Sequence, residues 1–391
     1  MVAPGARRRS GPGAVGVAAI LLGAAAGLVA AFAAGITVFF ARTVVTPPRR
    51  RPEDVRIVGH DEHTITLSAT LDSLTPGEYS LWFREDRGHA RVGEILSYSS
   101  ETVTRRLLAV DFGQLDGARA GRFSGWFFLS PGELGVPWED VEVQTELGPA
   151  PAWLVPSEAA DGRWVIQVHG RAVRRQEALR AIPVFREAGY TSLLISYRND
   201  GDAPESADHR YALGDAEWRD VEAAMTFAIE RGASEIVLMG WSMGGATVLQ
   251  ALTRSPLASH VRGVVLDSPV VDWVTALHYQ GRANRLPVPI RVGVLRLLSS
   301  AWGRVVTGLT EPIDLDRLDL VARARELTVP ILLLHSEDDG FVPATASEAL
   351  ARARPDIVTF EHFRTARHTK LWNYDRVRWE AAIRGWLSRL G

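Results

Sequence analysis

The chain has 391 residues and a formal net charge of −2, and 46% of its residues are hydrophobic against 23% charged. This balance is typical of a folded globular protein, and the absence of a basic excess argues against a nucleic-acid partner. The sequence contains no cysteine, which excludes disulfides, thiolate metal sites and a cysteine nucleophile.

The first 51 residues contain a long apolar segment. No charged residue lies between Arg9 and Arg42, and small and aliphatic residues dominate Ala14–Ala41. A bilayer core needs about 20 such residues in a helix, whereas the apolar core of a signal peptide has only about 7–15. The length therefore favours an uncleaved single-pass transmembrane anchor. The alternative is a long signal peptide that is cut near Ala31–Ala33.

Basic residues flank both ends of this segment, so the positive-inside rule gives a nearly balanced result for its orientation. The flanking residues are Arg7, Arg8 and Arg9 on one side and Arg42, Arg49, Arg50 and Arg51 on the other. We expect the amino terminus inside the cell and the rest of the chain outside the cytoplasm. An extended linker is predicted from Pro47 onward, because proline cannot continue a helix.

Residues 52–137 show a hydrophobic period of two, which predicts a small β-rich module. In Thr64–Leu71 the apolar residues alternate with hydroxyl-bearing residues, as expected for a half-buried strand. Further strands are predicted at Tyr79–Phe83, Val92–Tyr98, Val103–Val110 and Phe123–Leu129. We expect this module to pack near the C-terminal region or to space it from the bilayer.

Three histidines of this module, His60, His63 and His89, lack the spacing to other His or Asp residues that a metal site requires. We therefore expect them to be solvated loop residues, and we predict no metal.

Residues 138–391 alternate between short apolar runs and helical stretches. Helices are predicted over stretches such as Arg174–Ala188 and Asp215–Arg231. Fully apolar strands that alternate with helices indicate a mostly parallel sheet with helices on both faces, and reactive groups gather at the carboxyl ends of such strands. The predicted strands are Trp164–Val168, Ser192–Tyr197, Glu235–Gly240, Gly263–Asp267 and Ile331–His335.

One strand end carries Gly240-Trp241-Ser242-Met243-Gly244-Gly245, followed by a helical run, Ala246–Arg254. This strand–turn–helix context predicts a GxSxG nucleophile elbow, with Ser242 held on a tight turn. A serine hydroxyl needs a base to become an effective nucleophile, and histidine suits that role near neutral pH. His368 is the candidate, because it lies in a loop between a predicted strand, Ile357–Phe360, and the last helix, Asp375–Leu390.

A carboxylate must fix the tautomer of such a histidine. Glu337, Asp338 and Asp339 follow the strand that ends at His335, and Asp267 follows the preceding strand. The chemistry of these residues leaves all four candidates open.

An oxyanion hole needs two backbone N–H groups aimed at the developing negative charge. The elbow supplies one of them, from Met243. We expect the second from the amide of Arg171, in the loop after Trp164–Val168.

The region Trp138–Gly391 resembles the α/β-hydrolase superfamily, and it is similar to actinobacterial membrane-anchored serine hydrolases with a dipeptidyl-peptidase-like catalytic core. The resemblance implies the α/β-hydrolase fold. It also implies Asp339 as the acid, since the acid of such proteins lies four residues after the strand-end histidine and three before Val-Pro. The matching elements are His169-Gly170, Ser196–Asp200, Gly240–Gly245, Leu266–Pro269, His335…Asp339…Val342-Pro343 and His368…Trp372-Asn373.

A long insertion lies between Asp272 and Glu326 and includes an apolar stretch, Val292–Leu309. Insertions at this point of the fold commonly form a lid over the active site, which would set substrate choice. The alternative is helical padding of the core.

The leading hypothesis is a serine hydrolase that cleaves an ester, thioester or amide of a small-molecule or peptide acyl substrate through an acyl-enzyme. No organic cofactor or metal is predicted, because the Ser-His-Asp chemistry is complete without one. The alternatives are a non-catalytic membrane-anchored binding module on the same scaffold and an acyltransferase with the same triad.

Overall fold

The computed structural model describes residues 14–48, 50–159 and 161–390. Within these ranges the chain forms an N-terminal helix, a closed β-barrel and an eight-stranded α/β domain. Arg49 and the arginines at positions 7–9, on which the predicted topology depends, lie outside the described residues.

Helix α1 (Ala14–Val45) contains the predicted apolar segment. Its residues Leu21–Val45 are long and apolar enough to cross a membrane, with a mean hydropathy of 2.1. The side chains of Leu21–Phe32 are exposed, whereas Ala41 and Val45 are fully buried in the core of the α/β domain. The last turns of this helix are therefore packed into the α/β domain.

A closed barrel of antiparallel strands follows, in the order β1-β2-β5-β4-β3-β6. The β-rich prediction is confirmed, although β1 was not among the predicted strands. The predicted strand Phe123–Leu129 is wrong beyond Ser124, because Phe127 packs into the core of the α/β domain instead. The strands are β1 (Val55–His60), β2 (Thr64–Ser68), β3 (Tyr79–Phe83), β4 (Gly88–Tyr98), β5 (Thr102–Phe112) and β6 (Ala120–Ser124).

Polar residues are buried on the face of β3 and β4 that points away from the barrel core. His89 is fully buried and lies 2.7 Å from both Ser80 Oγ and Asp111 Oδ2 through its two ring nitrogens. The prediction of a solvated loop histidine is therefore wrong for His89, because it lies on β4 and is buried on the face that points away from the barrel core. His60 and His63 are exposed.

The α/β domain is built on a sheet in the order β14-β13-β12-β11-β9-β10-β8-β7. The pairs from β14 to β10 are parallel and those of β8 with β10 and β7 are antiparallel, which confirms the mostly parallel sheet. The strands are β7 (Glu139–Thr145), β8 (Gly148–Val155), β9 (Arg163–Val168), β10 (Thr191–Ile195), β11 (Glu235–Trp241), β12 (Val261–Asp267), β13 (Ile331–Ser336) and β14 (Val358–Phe363).

Helices cover both faces of this sheet and enclose two apolar cores. One core contains side chains of α1, α3, α4 and α8, and the other contains side chains of α2 and α10. Short 3₁₀ turns lie at Pro131–Leu134, Arg175–Ala181, Pro256–His260 and Ala324–Glu326. The remaining helices are α2 (Ile182–Glu187), α3 (Trp218–Glu230), α4 (Met243–Arg254), α5 (Trp273–Ala283), α6 (Val288–Ser299), α7 (Arg304–Thr307), α8 (Thr345–Ala353), α9 (Leu371–Tyr374) and α10 (Arg376–Leu387).

The insertion predicted over residues 272–326 contains α5, α6 and α7. Helix α5 contacts the loop after β13, since Tyr279 Oη donates to the Asp339 carbonyl at 3.2 Å and Gln280 Nε2 donates to the Phe341 carbonyl at 3.3 Å. Helices α6 and α7 contact α1. The insertion therefore lies between the N-terminal helix and the carboxyl edge of the sheet.

A fully buried arginine, Arg105, organises one end of the barrel core. Its guanidinium donates to the backbone carbonyls of Gly93, Ser73, Thr75 and Gly77 at 2.6–2.9 Å. Burial lowers the pKa of Arg105 to about 10.

We expect Arg105→Met to destabilise the barrel by about 3 kcal/mol, because it leaves buried carbonyl groups without their donor. Urea dependence of hydrogen exchange at the β2 and β5 amides measures this change. The neighbouring Arg106→Met is the matched control, since Arg106 is exposed and pairs with Glu94 on the surface. Equal effects of the two variants would contradict a special role for Arg105.

Candidate active site

The turn between β11 and α4 holds Ser242 in a conformation that side chains rarely adopt. Its φ is +50°, and it is nearly buried, with 5% exposure. A side chain at Gly240 would collide with the Gly244 carbonyl, and one at Gly244 would collide with the Val168 carbonyl. The two glycines therefore permit the tight packing that raises the serine above the sheet.

Ser242, His368 and Asp339 are brought together by the fold. His368 Nε2 lies 3.0 Å from Ser242 Oγ, and His368 Nδ1 lies 2.6 Å from Asp339 Oδ2. The three residues come from three loops at the carboxyl edge of the sheet, after β11, β13 and β14. This is the hydroxyl–imidazole–carboxylate order that nucleophilic catalysis uses.

Asp339 is buried and well supplied with hydrogen-bond donors. The backbone N–H groups of Phe341 and Val342 donate to its Oδ1, each at 2.8 Å, and His335 Nε2 lies 3.2 Å from its Oδ2. Burial alone would raise the pKa of Asp339, but the charge of His368 and hydrogen bonds from both histidines outweigh it and hold the pKa well below its usual range. The carboxylate is therefore ionised at neutral pH.

The other three acids have different partners. Glu337 lies 3.1 Å from the ring of His362. Asp338 Oδ1 accepts hydrogen bonds from Ser336 Oγ at 2.7 Å and from the Arg367 N–H at 2.9 Å. Of the four candidates, Asp339 is therefore the one whose carboxylate contacts His368.

Asp267, the fourth candidate, is fully buried at the end of β12. It accepts hydrogen bonds from Trp379 Nε1 and Ser268 Oγ, both at 2.9 Å. Burial raises the pKa of Asp267, against the opposing effects of Arg180 and these donors. Its contacts hold α10 against the sheet.

Two serines fix the backbone on either side of His368. Ser336 Oγ accepts from the Ala366 N–H at 2.9 Å, and Ser268 Oγ accepts from the Thr369 N–H at 3.0 Å. The flanking residues Arg367 and Thr369 both have positive φ values, +62° and +50°. Neither serine had a predicted role, because these bonds join loops that are distant in sequence.

The loop after β9 lies directly against Ser242. A Cβ built on Gly170 would be 3.3 Å from the Ser242 Cβ. The Gly170 N–H donates to Glu177 at 2.7 Å, and its carbonyl accepts from Tyr197 Oη at 2.7 Å. Met243, on the other side, is the first residue of α4, where backbone N–H groups have no partner within the helix.

The guanidinium of Arg171 binds the end of helix α1. It donates to the backbone carbonyls of Val44, Thr43 and Thr46 at 3.0, 2.7 and 3.1 Å. Burial lowers the pKa of Arg171. The side chain thus joins the loop beside Ser242 to the N-terminal helix, a contact that no sequence motif predicted.

Two cavities meet at the catalytic candidates. The first, which we call the apolar cavity, measures about 500 Å³ and reaches Ser242. The second, the polar cavity, measures about 300 Å³ and is lined by His368 with Asp72, Arg367 and Lys370. Phe341 borders both cavities, and its ring centroid lies 5.2 Å from that of His368.

The barrel contributes one wall of the polar cavity through Asp72. This carboxylate lies 3.2 Å from Arg367 Nε and 3.1 Å from Lys370 Nζ. Both cations flank His368 in the sequence. The barrel therefore packs against the loop that carries the imidazole. Among the residues that the structure describes, no group of His, Asp and Glu is arranged to hold a metal ion.

Residues 165–381, more than half of the chain, match the family model described as "Alpha/beta hydrolase family". The chain belongs to the α/β-hydrolase family. A second family model, described as a domain of unknown function (DUF8805), matches residues 54–124, which form the barrel.

Individual relatives of this α/β hydrolase are distant in sequence. Protein ABHD12B of Homo sapiens is 26% identical over 187 residues, which is 46% of this chain and 46% of that protein. The chain thus spans less than half the length of that curated relative.

Two solved structures share the fold. Esterase Pf2001 of Pyrococcus furiosus has a TM-score of 0.53 at 17% identity, over 68% of this chain and 95% of that chain. A puromycin-hydrolyzing peptidase of Mycobacterium tuberculosis has a TM-score of 0.50 at 16% identity, over 78% of this chain and 44% of that chain.

Proposed function

We propose that this α/β hydrolase is a serine hydrolase that cleaves an ester, thioester or amide bond through an acyl-enzyme. The observation that carries the proposal is the continuous contact from Ser242 Oγ through the His368 ring to Asp339. Family membership supports the reaction class, and the fold is shared with an esterase and a peptidase.

In the proposed reaction Ser242 Oγ attacks the acyl carbon while His368 Nε2 takes the hydroxyl proton. Asp339 orients the ring and stabilises the imidazolium that forms. The amides of Met243 and Arg171 stabilise the negative charge on the acyl oxygen. His368 then gives its proton to the leaving group. Water, deprotonated by the same imidazole, releases the acid and restores Ser242.

The two cavities support an orientation for the substrate. The leaving group must lie on the imidazole side, because His368 protonates it. That side is the polar cavity, with Arg367, Lys370 and Asp72. The acyl group then lies in the apolar cavity, where Trp273, Leu277 and Val294 provide an apolar lining. We propose a substrate with an apolar acyl group and a polar leaving group.

Labelling with a fluorophosphonate tests the nucleophile. We expect the folded wild-type protein to be labelled and Ser242→Ala to remain unlabelled, because only an activated serine reacts with the probe. Intact-mass analysis with circular dichroism as a folding control measures both. A folded wild-type protein that resists labelling would favour the non-catalytic binding module, and a labelled Ser242→Ala would place the nucleophile elsewhere.

Exchange of the adjacent aspartates for asparagine tests the acid. We expect Asp339→Asn to lower kcat by about 10⁴-fold, as the loss of a triad carboxylate leaves the imidazole in the wrong tautomer. Asp338→Asn is the matched control, because it keeps an oxygen that can accept from Ser336 and the Arg367 N–H. Steady-state hydrolysis of p-nitrophenyl acetate is the measurement. Equal losses, or a larger loss for Asp338→Asn, would refute the assignment.

A further inference from the structure

The last turns of helix α1 form part of the wall of the apolar cavity. Phe40, Thr43 and Val44 line it from this helix, while Leu277 and Val294 line it from α5 and α6, and Ser242 is also part of the lining. The cavity volume of about 500 Å³ lies within the range of about 300–1,000 Å³ that is common for small-molecule sites. The N-terminal helix is therefore a component of the cavity and not only a tether.

This part of α1 is fixed to the α/β domain by several contacts. Ala41 and Val45 are fully buried in its core. The Val45 carbonyl accepts from the Tyr211 N–H at 2.8 Å, and Arg171 binds three other carbonyls at the helix end. These bonds satisfy C-terminal carbonyls that a helix leaves unpaired, so the position of the wall is well defined.

The part of α1 that precedes these turns has the length of a membrane span. The side chains of Leu21–Phe32 are exposed and those of Ile36–Val38 are half-buried, and nothing lies within 4 Å of a Cβ built on Gly35. Packing of α1 against the α/β domain therefore begins near Gly35. At about 1.5 Å per residue, Ala14–Gly35 is about 33 Å long, against about 30 Å for the hydrocarbon core of a bilayer. If that part spans the bilayer, Phe40 lies only about 7.5 Å beyond the edge of the hydrocarbon core, at the depth of the headgroups.

Exposed apolar side chains lie on the segments that pack beside α1. Trp302, just before α7, is 64% exposed and Val305, on α7, is 87% exposed. Val288 at the start of α6 is also exposed. Both of these helices contact α1. Tryptophan is enriched at membrane interfaces, where its ring lies at the level of the headgroups. We call this surface the α6–α7 patch, and its position beside the anchor identifies the bilayer as its partner.

We infer that α1 both spans the bilayer and shapes the acyl site, so that the long apolar chain of a membrane-dissolved ester reaches Ser242 along this helix. This inference rests on the proposed hydrolase function. The polar part of the ester then faces the polar cavity, and the α6–α7 patch holds the cavity mouth at the membrane surface.

The contribution of α1 to acyl-chain selection is tested with the full chain in nanodiscs of diether phosphatidylcholine, which has no ester bond to cleave. We expect Thr43→Trp to lower the ratio of kcat/KM for p-nitrophenyl palmitate to that for the acetate by about tenfold or more, because the indole occupies space needed by the long chain. Phe32→Trp is the matched control, since Phe32 is 72% exposed on the same helix before the packed turns, and it should leave the ratio unchanged.

Phe40→Ala, with Phe32→Ala as its control, provides a second variant that removes a wall contact instead of adding bulk. It should also lower the palmitate-to-acetate ratio. An unchanged ratio in both Thr43→Trp and Phe40→Ala, or an equal loss of both esters, would overturn the acyl-wall role. Failure of the wild-type protein to hydrolyse the acetate or to react with fluorophosphonate would instead refute the proposed function itself.

The orientation on the bilayer is tested by single cysteines, which the cysteine-free sequence makes straightforward. Val305→Cys and Val377→Cys replace two similarly exposed valines on opposite faces of the sheet, at α7 and α10. We expect nitrobenzoxadiazole attached at position 305, and not at 377, to be quenched by lipids with doxyl groups on their acyl chains. Quenching at neither position, or equally at both, would overturn the inferred orientation.

Discussion

The contact between Ser242 and His368 is the constraint on which the site depends, because the two residues are joined by no local structure. Ser242 itself has a positive φ, and so do Arg367 and Thr369, the two residues next to His368. Such conformations cost free energy and persist only where surrounding contacts hold them. Here those contacts are the packed glycines of the elbow and the hydroxyl groups of Ser268 and Ser336.

The charge states of the buried carboxylates at the site depend on the hydrogen-bond donors and positive charges that oppose the effect of burial. Asp339 remains ionised inside the protein because two backbone N–H groups and two imidazoles surround it. Asp267, equally buried but with a different set of donors, has a raised pKa. Two carboxylates at the ends of adjacent strands, β12 and β13, thus differ in their titration because their donors differ.

The sequence predicted the α/β-hydrolase fold, the β-rich module and the apolar helix, since each is encoded in local periodicity or in a short motif. It did not distinguish Asp339 from its neighbours by chemistry alone, because side-chain direction in a loop depends on tertiary hydrogen bonds. His89 was misread for a related reason: a histidine between a glycine and an alanine carries no signal of its burial. The antiparallel strands β7 and β8 were not predicted, because charged residues dominate β7 and two prolines interrupt the first half of β8.

Arg171 connects the loop beside Ser242 with the N-terminal helix. Its backbone follows Gly170, which lies against Ser242. Its guanidinium donates hydrogen bonds to the carbonyls at the end of α1. One side chain therefore joins the end of the N-terminal helix to the backbone beside the nucleophile, so the placement of that helix and the shape of the loop beside Ser242 depend on each other.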